Sequence, residues 1–214
     1  MSTSIADIRE EYSKHTLDIK DVKKDPLKQF HLWFREAQKS EIKEVNAMDL
    51  STVSKDGIPS SRVVLLKDLE NDGFVFFTNY QSDKGKDLEQ NPAAALLFFW
   101  KELERQVRIQ GNVEKISKAD SESYFQSRPK GSQIGAWTSP QSTIIESRVL
   151  LEEREKEITQ KYQKDNVLPK PEQWGGYVLK PLKIEFWQGR PNRLHDRILY
   201  TYLDGSWKIN RLAP

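Results

Sequence analysis

The segment AMDLSTVSKDGIPSSRVVLLKDLENDGFVFFTNY, residues 47–80, alternates runs of β-branched and aromatic residues with short polar turns. The first turn contains Asp56–Gly57, and the second lies around Asn71–Asp72–Gly73. Asp-Gly dipeptides between such runs are typical of hairpins that join antiparallel strands. The segment therefore predicts three consecutive strands.

Further strands and four helices are predicted outside this segment. Strand patterns occur at residues 93–100, 105–116, 175–189, 194–203 and 206–214. Helical periodicity and capping signals occur at residues 25–40, 82–92, 117–129 and 142–163. In the first helix we expect Asp25 as N-cap before Pro26, with a core face formed by Leu27, Phe30, Phe34 and Ala37. Helices inserted irregularly between strands predict an α+β fold built on an antiparallel barrel or sandwich.

Composition excludes several classes of protein. The 214 residues carry 34 Lys and Arg against 32 Asp and Glu, and a net charge of +2 disfavours a general nucleic-acid binder. The chain has no cysteine, so cysteine-based metal sites are excluded and no metal is expected. The longest apolar run, residues 93–100, is too short to cross a bilayer, and residues 1–14 lack a signal-peptide core. We expect a cytoplasmic protein without a membrane partner, with a polar arm over residues 1–24 and one domain over 25–214.

The segment IEFWQGRPNRLHDR, residues 184–197, combines aromatic side chains with cations. If residues 193–197 form a strand, Arg193, His195 and Arg197 share one face. Neighbouring cations repel one another unless an anion or an aromatic ring lies over them. The intervening GRPN can turn the chain so that Trp187 approaches that face. An anion site and a solvated edge strand both remain open here.

A second basic group lies in SSRVVLLKD, residues 60–68. Arg62 and Lys67 are five positions apart, so they point to opposite faces of a regular strand. On opposite faces they could bind two different anions, or they could bind a single anion if a bulge intervenes. The alternative is a buried strand whose ends face solvent.

A third group lies in YFQSRPKGSQIGAW, residues 124–137. Tyr124 and Arg128 share a helix face, and Ser132 can fold back beside them after Pro129 ends the helix. A phenol, a guanidinium and a hydroxyl at a helix end are typical of a phosphate site. The alternative is an arginine that complements the helix dipole.

Two weaker signals accompany these groups. Lys84 and Lys86 lie near the predicted start of a helix, where a phosphate is favoured. Gln141 and Ser142 offer amide and hydroxyl donors ahead of another helix. Together the donor sets indicate two phosphorylated ligands, at least one of them aromatic.

These segments jointly resemble the pyridoxine (pyridoxamine) 5′-phosphate oxidase family. The resemblance runs from REEY at 9–12 to RLAP at 211–214, and its most specific pieces are RVVLLK, ERQVRIQG, YFQSRPKGSQIGAW, SPQS, WGGY and EFWQGRPNRLHDR. It implies an antiparallel FMN-binding split β-barrel with surrounding helices, working as a homodimer with a C-terminal dimerisation segment over about 172–214. It also implies that O2 oxidises pyridoxamine 5′-phosphate or pyridoxine 5′-phosphate to pyridoxal 5′-phosphate and becomes H2O2.

The same resemblance implies the residues of the site. The cofactor-binding residues would be Arg62, Val63, Val64, Leu65, Leu66, Lys67, Phe77, Thr78, Lys84, Gln106, Gln141, Ser142, Trp187 and Arg197. The substrate-binding residues would be Arg9, Tyr12, Lys67, Tyr124, Arg128, Ser132, Arg193, Leu194 and His195. Arg193 and His195 would be the catalytic pair, holding the polar edge of the substrate and assisting proton movement.

One position departs from the family pattern. The family usually has Arg–Lys where this chain has Asp83–Lys84, and a carboxylate cannot donate to a flavin phosphate. We expect Asp83 to turn outward or to cap the helix. Two alternatives of function remain. One is a related flavin oxidase for another substrate, such as a phenazine precursor, and the other is a non-catalytic module that binds flavin or nucleic acid.

Overall fold

The computed structural model describes residues 4–8, 10–69, 73–165 and 167–214. The strands are β1 (Ala47–Val53), β2 (Pro59–Leu65), β3 (Phe74–Asn79), β4 (Ala93–Trp100), β5 (Arg105–Lys115), β6 (Trp174–Gln188), β7 (Asp196–Leu203) and β8 (Ser206–Leu212). The α-helices are α1 (Pro26–Lys39), α2 (Asp83–Gln90), α3 (Lys118–Ser127), α4 (Lys130–Thr138) and α5 (Arg148–Lys161). Short 3-10 turns occur at Ile5–Asp7, Ile19–Asp21, Lys101–Leu103 and Pro191–Arg193. None of the helices in the described ranges is long and apolar enough to cross a membrane.

The strands are hydrogen-bonded in the order β2-β1-β4-β5-β6-β7-β8, and β3 pairs with β6. The long strand β6 has different partners at its two ends. It pairs antiparallel with β3 from Trp174 to Leu179 and antiparallel with β7 from Lys183 to Gln188. The change of partner lies across Pro181, which has no N–H to donate to a ladder. The expected antiparallel sheet is therefore confirmed.

The chain divides into two compact units. The first unit comprises the described parts of residues 1–50, 95–111 and 181–214, and the second those of residues 51–94 and 112–180.

The first unit is centred on an aromatic cluster against α1. Asp25 caps this helix as expected, because its Oδ1 accepts a hydrogen bond from the Leu27 backbone N at 2.8 Å. The Phe30 ring lies 5.0 Å from the Phe98 ring, and the Trp33 ring meets the Phe186 ring edge-on at 5.2 Å. Phe30 and Ala37 are buried as expected, whereas Leu27 and Phe34 are only half-buried and Trp33 lies inside. The buried face is thus rotated by about one position from the expected one.

The second unit buries a core of Phe125, Ile134, Tyr162, Leu168 and Trp174. Its helices begin and end differently from the sequence expectation. After Pro129 the chain forms α4, a helix that the sequence did not predict. The long helix α5 starts at Arg148 rather than at 142, because Ser142 has a φ of +68°, which a right-handed helix does not allow.

Candidate active site

A cavity of about 670 Å³ in the second unit gathers most of the expected anion-binding side chains. It is lined by Arg62, Val63, Val64, Leu65, Lys67, Phe77, Thr78, Asn79, Lys84, Tyr124, Arg128, Ser132, Gly135, Ala136, Ser139, Gln141 and Trp174. The volume suits a small-molecule site. The described residues that line it include four cations, Arg62, Lys67, Lys84 and Arg128, and no carboxylate. Such a lining favours anionic ligands.

Arg62 is held in place by a polar relay that runs through the buried Thr52. Its Nη1 donates to Oγ1 of Thr52 at 2.7 Å, and the Thr52 hydroxyl donates to Oδ2 of Asp87, also at 2.7 Å. Thr52 is 0% exposed, so water does not compete for its hydroxyl. Nη2 of Arg62 additionally donates to Oγ of Ser60. The relay orients the guanidinium before any ligand arrives.

Lys67 lies beyond the end of β2, which stops at Leu65. The expectation that Arg62 and Lys67 point to opposite faces assumed a regular strand through both residues. Because the strand has ended, both side chains line the same cavity. Leu66, between them, is buried in the core and does not line it.

Lys84 lies in the first turn of α2 and is only 9% exposed. Burial is the main cause that lowers its pKa, and the charge of Arg62 lowers it further, against an opposing effect of Asp83. Two cations that repel one another beside a cavity are stabilised by an anion between them. Asp83 is exposed, which confirms the expected outward orientation, and Ser82 rather than Asp83 caps the helix through Gly85 N.

Three stacked rings form one wall of the cavity. The Phe77 centroid lies 3.9 Å from that of Tyr124 and 5.3 Å from that of Trp174, with nearly parallel planes. The Arg128 guanidinium carbon lies 4.8 Å from the Trp174 ring centroid, a cation–π contact. Trp174 was not among the predicted site residues, although it begins the WGGY segment. Its position as an aromatic residue at the start of a glycine-rich strand was the feature that could have indicated a place in the site.

Arg128 is poised for an anion, although not as the sequence predicted. The helix α3 ends at Ser127 and Arg128 has extended dihedral angles, so the shared helix face with Tyr124 was wrong. Both side chains nevertheless line the cavity, and Ser132 joins them from the first turn of α4. The Arg128 Nη1 atom is buried and has no hydrogen-bond partner among the described residues. Burial also lowers the pKa of this guanidinium. A buried, unpaired cationic nitrogen is costly, and a phosphate oxygen would satisfy it.

Two further polar residues of the cavity contact one another. Oγ1 of Thr78 donates to Oε1 of Gln141 at 3.5 Å, and both residues line the cavity. Ser142, the next residue, is exposed and does not line it.

In the first unit, Tyr12, Trp187 and His195 form an aromatic cluster. The Trp187 ring lies 4.5 Å from the His195 ring and 5.8 Å from the Tyr12 ring. This unit has a cavity of about 560 Å³ lined by Ile8, Glu10, Glu11, Tyr12, Arg190, Asn192, Arg193 and His195. The expected approach of Trp187 to His195 is thus confirmed, while Arg9 lies outside the described residues.

The prediction that residues 193–197 form one strand face was wrong. Pro191–Arg193 form a 3-10 turn and β7 begins only at Asp196. Pro191 has no N–H for a ladder, and Asn192 and Arg193 have positive φ angles of 55° and 62°. Positive φ costs free energy in residues other than glycine, and such strain is concentrated at functional sites.

Arg197, on β7, donates hydrogen bonds to other residues of the first unit. Its Nε donates to Oε1 of Glu185 at 2.8 Å, and its Nη1 donates to the Ala213 carbonyl at 2.9 Å. The hydrogen bond that Arg197 donates to Glu185 raises the pKa of Arg197, which keeps it cationic. Of the other expected residues in this unit, Gln106 is half-buried on β5 and Leu194 is 68% exposed after the turn.

His195 is held in one tautomer. Its Nδ1 accepts a hydrogen bond from the Arg190 backbone N at 3.1 Å, so the neutral ring carries its proton on Nε2. Burial, and then the charge of Arg193, lower the pKa of His195. The neutral ring can therefore donate a hydrogen bond from Nε2, whereas Nδ1 is occupied.

Two family models together match most of the chain. One, described as pyridoxamine 5′-phosphate oxidase, matches residues 34–162, and the other, described as the pyridoxine 5′-phosphate oxidase C-terminal dimerisation region, matches residues 174–214. The chain belongs to the pyridoxamine 5′-phosphate oxidase family. The resemblance seen in the sequence is thereby confirmed.

Curated members of this oxidase family match over their full length. The pyridoxine/pyridoxamine 5′-phosphate oxidase of Ralstonia pickettii (strain 12J) is 57% identical over 213 residues, covering 99% of this chain and 100% of the relative. The protein of the same name from Burkholderia mallei (strain SAVP1) is 56% identical over 215 residues, with the same coverage.

Two solved structures with similar folds confirm the expected split barrel. PhzG from Burkholderia lata 383, in complex with tetrahydrophenazine-1-carboxylic acid, has a TM-score of 0.88 at 27% identity and covers 94% of this chain and 100% of its own. A pyridoxamine 5′-phosphate oxidase-related, FMN binding protein from Nostoc punctiforme PCC 73102 has a TM-score of 0.71 at 19% identity, covering 88% and 98% respectively.

Proposed function

We propose that this protein is an FMN-dependent oxidase that converts pyridoxamine 5′-phosphate or pyridoxine 5′-phosphate into pyridoxal 5′-phosphate. The observation that carries the proposal is the second-unit cavity, in which the described lining has four cations and no carboxylate. A flavin mononucleotide and a phosphorylated substrate each bring a dianionic group. Full-length identity of 56–57% to curated oxidases supports the same assignment.

The cavity fits FMN. Burial, and then repulsion by Arg62, lower the pKa of Lys84, and a phosphate beside the two cations would relieve that repulsion. Val63, Val64, Leu65 and Phe77 line the cavity and offer apolar surface for an aromatic ring system. Polar contacts would come from Thr78 and Gln141. Roles for Leu66, Gln106, Ser142, Trp187 and Arg197 rest on the family likeness alone.

The substrate phosphate would bind among Lys67, Tyr124, Arg128 and Ser132. The support is the buried Nη1 atom of Arg128, which lacks a partner among the described residues. The guanidinium is already fixed against Trp174, so little side-chain freedom would be lost when it donates hydrogen bonds to the phosphate.

When bound, FMN supplies the two-electron chemistry that couples oxidation at the substrate C4′ carbon to reduction of O2 to H2O2. Pyridoxine 5′-phosphate loses two hydrogens to become the aldehyde, while pyridoxamine 5′-phosphate loses two hydrogens and water then releases ammonia. The chain binds and orients its ligands. His195 keeps a proton on Nε2 for an acceptor at the polar edge of the pyridine ring, and Arg193 adds positive charge there. Tyr12 and Trp187 exclude water from that end through their apolar rings.

We further propose that the protein is a cytoplasmic homodimer. The support is the match of residues 174–214 to a region described as a dimerisation region. Sedimentation at micromolar concentration tests it, and a monomer at those concentrations would contradict it.

The decisive experiment is an oxidase assay on the purified protein supplied with FMN. Adding pyridoxamine 5′-phosphate in air should yield pyridoxal 5′-phosphate and H2O2 in equal amounts. Unphosphorylated pyridoxamine is the matched control and should react much less efficiently. A protein that binds flavin but forms no peroxide would be a carrier, and this result would reject the proposal.

A second candidate is oxidation of a phenazine precursor, which the likeness to PhzG at 27% identity favours. A carboxylate is a monoanion and a phosphate ester a dianion, so the four cations of the described cavity lining favour the phosphorylated substrate. Tetrahydrophenazine-1-carboxylic acid in the same assay distinguishes the two, and faster turnover of that compound than of pyridoxamine 5′-phosphate would favour the second candidate.

A further inference from the structure

We propose that Glu104 is a positioning residue that fixes Tyr12 against Trp187 and His195 and thereby orders the N-terminal arm around residues 12–14. The inference rests on the proposed function, in which Tyr12 and His195 contact the substrate. Glu104 itself touches neither ligand in this proposal and acts through the arm.

The carboxylate of Glu104 fastens the N-terminal arm. Glu104 is only 6% exposed, and a single oxygen, Oε2, accepts hydrogen bonds from Ser13 N at 2.9 Å and Lys14 N at 3.0 Å. Hydrogen bonds from backbone N–H groups to a charged acceptor are about twice as strong as neutral ones. The first of these two donors belongs to the residue directly after Tyr12.

The backbone of Glu104 fastens the segment that leads to His195. Its carbonyl oxygen accepts hydrogen bonds from Gly189 N at 2.7 Å and from Nε2 of Gln188 at 3.3 Å. Glu104 has a φ of +56°, a strained conformation for a residue other than glycine. One strained residue therefore holds the arm through its side chain and the 188–189 segment through its main chain.

Tyr12 lies between the arm, which the Glu104 carboxylate holds, and the 188–189 segment, which the Glu104 carbonyl holds. Its ring packs on Gly189, where an added Cβ would lie 2.7 to 2.8 Å from the ring atoms. The same ring lies 5.8 Å from Trp187 and 6.0 Å from His195. Gly189 thus allows the close approach, and Glu104 sets the backbone on both sides of it.

Other attachments of the arm lie further along the chain. Nζ of Lys14 donates to the Glu102 carbonyl at 2.7 Å, and Leu17 N donates to Oδ2 of Asp196 at 3.0 Å. Losing the Glu104 carboxylate should therefore release Tyr12 and Ser13 while residues from Leu17 onward stay attached. The expected effect is local rather than a loss of the fold.

The test compares Glu104→Gly, Glu104→Gln and the control Glu102→Ala. Glycine accepts a positive φ without strain, so Glu104→Gly removes the carboxylate and spares the backbone. The glutamine amide oxygen can still accept the two N–H groups and should rescue partly. Glu102 lies two residues away, and its side chain pairs with Lys101 at 3.9 Å. Its hydrogen bond to Lys14 of the arm is made by the backbone carbonyl, which alanine keeps.

Two readouts are needed, one of which is independent of activity. Limited trypsin digestion followed by mass spectrometry should show cleavage after Lys14 several times faster in Glu104→Gly than in the wild type or Glu102→Ala. In the oxidase assay, KM for pyridoxamine 5′-phosphate should rise about tenfold in Glu104→Gly, with kcat changed less than about twofold, the size of one lost charge-assisted interaction. Tyr12→Ala should raise KM similarly, and adding Glu104→Gly to it should have little further effect.

Equal cleavage after Lys14 in Glu104→Gly and the wild type would overturn the proposal, as would additive effects of the two substitutions on KM. A wild-type protein that forms no peroxide would refute the proposed function instead. The digestion would still decide whether Glu104 holds the arm.

Discussion

Replacing Thr52 by valine should weaken FMN binding without direct contact between residue 52 and the cofactor. Valine keeps the shape of threonine and removes the hydroxyl that joins Arg62 to Asp87. Arg62 would then keep the hydrogen bond to Ser60, an exposed partner, and lose its buried one. The guanidinium would sample more rotamers in the protein without FMN.

The magnitude follows from two contributions. Immobilising a long side chain on binding costs about 0.5–1.5 kcal/mol. A hydrogen bond to a charged group contributes about 1.5–3 kcal/mol, but Arg62 is half-exposed and water replaces much of this loss. We expect FMN binding to weaken by about 1–2 kcal/mol, which corresponds to a roughly 5- to 30-fold higher Kd.

The assay is quenching of FMN fluorescence on titration with FMN-free protein. Thr52→Ser keeps the hydroxyl and should bind nearly as tightly as the wild type. Ser51→Ala is a matched control on the same strand, since its hydroxyl pairs with Ser61 instead. A Kd for Thr52→Val within twofold of that for Thr52→Ser would show that the relay does not organise Arg62.

Three other substitutions test separate parts of the site. Arg128→Ala should raise KM for pyridoxamine 5′-phosphate about 10- to 100-fold, because it removes a buried charge-assisted contact. The Kd for FMN should stay unchanged. A parallel rise in the Kd for FMN would contradict this assignment. Burial and Arg193 lower the pKa of His195 below 6.5, so the ring stays mostly neutral down to that pH. We therefore expect kcat/KM to fall only at lower pH. His195→Gln should abolish this fall of kcat/KM in acid. Because the pKa of Lys84 is lowered in the folded state, the unfolded chain binds more protons between that pKa and 10.5, so stability of the FMN-free protein rises with pH there. Lys84→Met should therefore raise its Tm at pH 7 while weakening FMN binding, and an unchanged Tm would contradict the burial argument.

Much of the secondary structure follows from local chemistry. The Asp25–Pro26 pair starts α1, Ser117 caps α3, and the turn at Gly57, with a φ of +80°, separates β1 from β2. Hydrogen bonds in such features span only a few residues, so the sequence pattern suffices to predict them. Family likeness then identified most of the side chains that line the second-unit cavity.

Other features depend on contacts between residues far apart in the chain. Trp174 reaches the cavity because β6 pairs with β3, and this pairing lets the Trp174 ring stack on Phe77. Glu104 meets Ser13 across 91 positions of sequence, and nothing in the local pattern of either segment signals that pairing.

The sequence alone thus indicated the strands, which depend on residue type and spacing over short distances. Likeness over nearly the whole chain indicated the family and the candidate anion-binding side chains. Folding in three dimensions determined which cations share one cavity, which guanidinium atom lacks a partner among the described residues and where the turn before β7 places His195. The physical reason is that burial, electrostatic repulsion and the loss of hydration depend on the complete surroundings of a group. Those surroundings come from segments that lie far apart in the sequence.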